Sequence, residues 1–158
     1  MNKDEMIEML KQFKTKDAQL KLKEIDYKKK TIKLNKIKEE EYSINITPKY
    51  VEGSKSNEIN SKVENAVMKK NTKIIELEEE LKKLQEEIDI LKLDVEEINV
   101  RLGTLSYLEK EILIDYYVNE SKPEDIGDFT YYRIRHQTRS AKTIKRLIEN
   151  AVNKLARI

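Results

Sequence analysis

Apolar residues between positions 67 and 105 repeat with the period of a helical seam. Val67 is followed by Ile74, Leu77, Leu81, Leu84, Ile88, Leu91, Val95, Ile98, Leu102 and Leu105, in alternating steps of three and four from Ile74 onward. Such a heptad pattern, held for more than four repeats, specifies a long helix whose seam must be covered by another long helix. The intervening positions are mostly Glu and Lys, as in Glu78-Glu79-Glu80 and Lys82-Lys83. Over residues 61–102 the helix spans roughly 60 Å, too long to bury its seam against itself.

Residues 2–42 supply the partner. They contain neither Gly nor Pro, and Met6, Phe13, Leu20, Tyr27 and Leu34 recur every seven residues, with Met9 and Leu10 widening the stripe at its start. Ala18, Leu22, Ile25 and Ile32 lie on nearly the opposite side. That second stripe is either a contact with another subunit, most simply in a dimer, or the irregularity of an amphipathic helix in a monomeric hairpin. Pro48 and Gly53 punctuate a polar connector over 43–60, where Ile44-Asn45-Ile46-Thr47 alternates like a strand but has no partner strand. Ser61 with Glu64 has the spacing of a capping box and opens the second helix, and Asn60 and Lys70 are polar seam positions that set register. Residues 1–104 are thus expected to form a long antiparallel helical hairpin, a coiled coil.

The periodicity shortens after Gly103, which fits a helix C-terminus. Ser106 with Glu109 and Ser121 with Glu124 repeat the capping-box spacing, and Pro123 sits in a first turn where its missing N–H costs nothing. The expected helices run through Ile112, Leu113, Tyr116 and Tyr117, and over 122–128 with Ile126. Ser140 is the N-cap of a last helix carrying Ile144, Leu147, Ile148, Ala151, Val152 and Leu155 on one side. The fold class is all-α, with residues 105–158 forming a small helix-turn-helix domain.

Charge sharpens this division. Charged residues make up 39% of the chain and the net charge is only +2, but residues 129–158 carry eight Lys or Arg against one Glu, while 103–128 carry two against seven. Arg133, Arg135, Arg139, Lys142, Lys145 and Arg146 fall within 14 residues, a density suited to phosphate neutralisation and to reading guanine in a major groove. Ser140 and Thr143 stand among them as backbone or base contacts. The competing reading docks this basic tail on the acidic 103–128 segment. Lys28-Lys29-Lys30 reads as a solvated face.

Two pieces of this tail resemble the fourth conserved region of bacterial sigma factors. The first is Leu105-x-x-Leu108-Glu109-Lys110-Glu111-Ile112-Leu113, followed by Tyr116-Tyr117 and Glu124-Asp125-Ile126-Gly127. The second is Ser140-x-x-Thr143-Ile144-x-Arg146, then Ala151-Val152-x-x-Leu155. The layout as a whole is similar to small sigma-like regulators of Gram-positive phages and prophages, of the ArpU and RinA type. The resemblance implies an opening helix plus a support helix in the first piece and a recognition helix in the second. One departure is the stretch Asp128–Arg139, where the family has only a few residues. If Thr130-Tyr131-Tyr132-Arg133 begins the reading helix instead, the base-contacting positions move.

Catalysis finds little footing. His136, the sole histidine, lies among arginines with no carboxylate or nucleophile at local spacing, and the three glycines form no phosphate loop. Cysteine is absent, which removes disulfides and thiolate metal sites. The expectation is a non-enzyme without metal or cofactor. The N-terminus leads to no apolar run long enough for a signal or membrane span, so a cytoplasmic location is expected. The expected function is a sequence-specific, double-stranded-DNA-binding regulator of transcription, activating late phage genes. Its hairpin would serve homo-oligomerisation or contact RNA polymerase. The alternatives are a phage packaging adaptor such as a small terminase-like subunit, or a coiled-coil scaffold.

Overall fold

The structure is a computed structural model that describes residues 1–45 and 56–158, with side chains described for 1–40 and 63–158. All regular structure among the described residues is helical. Helix α1 is Lys3–Asn45 and α2 is Ser56–Gly103; α3 (Tyr107–Leu113) runs into a π-helical turn, Ile114–Val118. Helix α4 (Pro123–Asp125), a second π-helical turn (Ile126–Thr130) and α5 (Tyr131–Arg135) follow without a break, and α6 is Ala141–Ala156. Among the described residues no helix is long and apolar enough to cross a membrane.

Both long helices exceed their expected limits. Nothing in Ser43, Ile44 or Asn45 stops α1, and α2 is already helical at Ser56, so Ser61 lies inside the helix and does not open it. The expected connector is helical at both ends. Its remainder, including Pro48 and Gly53, lies outside the described residues, as do the side chains of Asn60 and Ser61.

The helices form two compact units, Lys21–Asp89 and Met1–Leu20 with Ile90–Ile158. In the first, Leu34, Leu77, Leu84 and Ile88 are buried along the seam, with Tyr27, Ile74 and Leu81 half-buried. Burying Leu34, Leu77, Leu84 or Ile88 contributes about 1.5–3 kcal/mol each. Val67, placed in the seam by spacing, is 38% exposed. Lys23 pairs with Glu87, Lys30 with Glu80 (3.3 Å) and Lys38 with Glu78 (3.2 Å), so the two helices run antiparallel here. The hydrogen bond to Glu80, helped by Asp26 at 3.5 Å, holds the Lys30 ammonium above its usual range. These solvent-exposed pairs set orientation more than stability.

The other unit contains the short helices. Asn2 and Glu5 cap α1 reciprocally: the Glu5 amide donates to Asn2 Oδ1 (2.8 Å) and the Asn2 amide to Glu5 Oε2 (3.1 Å). One apolar core draws Met6 and Leu10 from α1, Ile98 and Leu102 from α2, and Ile112, Leu113, Ile126, Ile144, Ile148, Ala151, Val152 and Leu155 from the C-terminal region. The C-terminal helices therefore share a core with both long helices. Gly103 ends α2, and the amides of Thr104 and Leu105 close its last turn on Arg101 and Leu102 (3.1 and 3.2 Å).

Candidate nucleic-acid interface

Ser106 caps α3, its Oγ accepting the Glu109 amide at 3.3 Å. Asp115 then ties the first π-helical turn to the next helix. It accepts from Thr130 Oγ1 and from Asn119 Nδ2 (3.1 Å), while its carbonyl accepts the Ser121 amide (2.8 Å). Glu120, at φ 57°, makes the left-handed bend between them. Ser121 is not the N-cap that its spacing suggested. Lys122 occupies that position without a side-chain bond, and Pro123 starts the helix.

The helix expected over 122–128 continues to Arg135. The π-helical turn places Ile126, Gly127 and Thr130 on the buried side, and Tyr131 packs against the core. Phe129–Arg135 is therefore helix, and Thr130-Tyr131-Tyr132-Arg133 belongs to the end of this helix. His136 terminates it in a left-handed conformation (φ 58°), its amide donating to the Tyr132 carbonyl at 2.7 Å. The sole histidine is a helix terminator whose ring meets Tyr132 edge-on, with centroids 6.4 Å apart.

The chain turns over His136–Ser140 and crosses its own preceding helix at Gly127. The Arg139 amide donates to the Gly127 carbonyl at 3.3 Å, and a Cβ at Gly127 would lie 2.0 Å from the Arg139 oxygen. Only glycine permits this approach. Ser140 then caps α6, accepting the Thr143 amide at 3.4 Å, with the two hydroxyls 3.1 Å apart. The two hydroxyls expected as backbone or base contacts thus stand at the start of α6, with Ser140 exposed and Thr143 half-buried.

Helix α6 buries Ile144, Ile148, Ala151, Val152 and Leu155. Lys142, Lys145 and Arg146 are exposed on its N-terminal half. Toward the other end, Glu149 is met by Lys3 of α1 (3.0 Å). Arg139 is exposed, stacks over Tyr131 (5.4 Å to the ring centroid) and donates to Gln137 (3.1 Å). Arg135 is exposed at the end of α5.

The cations divide into two groups. Arg133 is drawn to Glu111 (3.2 Å) and Lys154 to Glu109 (2.7 Å), both carboxylates on α3. Among the described residues, Arg135, Arg139, Lys142, Lys145 and Arg146 form no ion pair. Docking on the acidic segment therefore occupies two basic residues of the tail and leaves five candidate cations free. Sequence reasoning missed the diversion of Arg133, the Gly127 crossing and the Asp115–Thr130 bond. Only the glycine, isolated within a helical stretch, carried a local signal.

These residues define an all-α chain with an unneutralised basic surface at the start of its last helix. Comparison with protein-family models, with curated proteins and with solved structures finds no match.

Proposed function

We propose that this protein is a sequence-specific DNA-binding regulator of transcription, with Pro123–Arg135 and α6 as the two helices of a helix-turn-helix. The observation that carries the reading is the exposed, unpaired set Lys142, Lys145 and Arg146 on the leading half of a helix whose other side is core. In helix-turn-helix proteins the start of the second helix meets base edges. Arg135 and Arg139 flank it as phosphate contacts. Arg133, held by Glu111, contributes less. The assignment to transcription, with RNA polymerase as partner, is supported by the resemblance of 105–127 and 140–155 to sigma region four. The coiled-coil hairpin would serve assembly.

Titrating duplex binding against salt by fluorescence anisotropy tests the reading. Two phosphate contacts, from Arg135 and Arg139, would give a log–log slope of roughly −2, and Arg135→Ala should reduce its magnitude by about 1. Lys142→Ala or Arg146→Ala should lose about 1–3 kcal/mol on the preferred site and relax preference at one base pair. Absence of duplex binding at low salt would refute the proposal.

A further inference from the structure

The unit Lys21–Asp89 carries two exposed helical stripes that its own seam does not use. On α1, Leu22, Ile25, Lys29, Ile32 and Lys36 follow steps of three and four, with Leu22 66%, Ile25 49% and Ile32 56% exposed. On α2, Met68, Thr72, Ile75, Glu79, Lys82 and Glu86 follow the same steps, with Met68 67% and Ile75 56% exposed. Each stripe points away from the buried seam residues of its helix, because positions half a heptad out of phase lie on the opposite side. The α1 stripe is apolar and basic; the α2 stripe is apolar and predominantly acidic. Lys29 and Lys36 are seven residues apart, and so are Glu79 and Glu86.

We infer that these stripes bind each other between copies of this chain, α1 of one copy against α2 of the next. Complementarity within a single sequence identifies the occupant as a second copy. Pairing α1 with α1 would set Lys29 and Lys36 against like charges, which disfavours the symmetric contact. Because the stripes occupy opposite edges of the unit, one contact uses one edge from each copy and leaves one on each unused. The association is therefore head-to-tail and continues past the dimer, closing as a ring or extending as a filament. This inference is independent of DNA binding.

Sedimentation of the full chain without DNA tests it, with circular dichroism monitoring helicity. The unmodified protein should form species of three or more copies. The pair Glu79→Lys, Glu86→Lys should weaken assembly at least about tenfold, and Lys29→Glu, Lys36→Glu should do the same. Mixing these two variants should restore assembly, since each then offers the other an oppositely charged edge. A chain that remains monomeric at high concentration, one that stops at a dimer, or assembly unaffected by the α2 substitutions would overturn the inference. So would two assembly-defective variants that stay separate when mixed.

Discussion

Gly127→Ala sets two opposing effects against each other at the helix crossing. Alanine is the better helix former by about 1 kcal/mol, so helix propensity alone predicts stabilisation. The crossing predicts the reverse. The new Cβ would lie 2.0 Å from the Arg139 carbonyl oxygen, 3.1 Å from its carbon and 3.4 Å from Ile144 Cγ1, where ordinary contact begins at 3.4 Å. The nearest contact is backbone, so no rotamer change relieves it. The His136–Ser140 turn must move, loosening the 3.3 Å bond from the Arg139 amide and disturbing the fully buried Ile144. Overpacking of this kind costs about 1–3 kcal/mol, sometimes more, and here the obstacle is rigid, so a net loss of about 2 kcal/mol is expected. Urea unfolding followed by tyrosine near-ultraviolet circular dichroism reports on this unit through Tyr116, Tyr117 and Tyr131. Gly103→Ala is the control, having no atom within 4 Å of its added Cβ; it should be neutral or slightly stabilising. A Gly127→Ala midpoint equal to or above that of the unmodified protein would refute the crossing argument.

Leu84→Asp places a carboxylate in the seam at a residue 7% exposed, and should cost several kcal/mol; an unchanged thermal melt would remove Leu84 from the stabilising contact. Ser140→Ala removes the α6 cap and should cost about 1 kcal/mol, with Ser140→Asp close to neutral, as read from urea midpoints. Burial, with Tyr116 alongside, pushes the Tyr117 phenol above its usual range. The folded state then keeps a proton that the unfolded chain releases near pH 10. Tyr117 therefore supports stability fully below about pH 10 and less as pH rises toward its folded value. Tyr117→Phe should flatten that alkaline loss, and identical pH profiles for the two proteins would contradict this.

Much of the architecture follows from local pattern. Leu77, Leu84 and Ile88 are buried because heptad spacing puts them on one side of a helix, and the caps at Ser106 and Ser140 need only three-residue contacts. Lys142, Lys145 and Arg146 are exposed for the same reason: the apolar residues of α6 set its inner face. What was illegible depended on distant residues. Met6 and Leu10 enter the same core as Leu155 through contacts that no local window contains. The helix beyond Asp128 continues because burial of Ile126, Gly127 and Thr130 supports the π-helical turn, whereas the local pattern carried it only over 122–128. Arg133 and Arg135 are equivalent in local sequence and differ through Glu111, which lies beside Arg133 alone.

The central claim, that α6 reads duplex sequence, is tested most directly by selection of bound duplexes from a randomised pool by the full chain, with Arg146→Ala in parallel. One enriched motif is expected for the unmodified protein, with preference lost at a single base pair for Arg146→Ala. Recovery of unenriched sequence by both proteins, or of an identical motif by both, would contradict it.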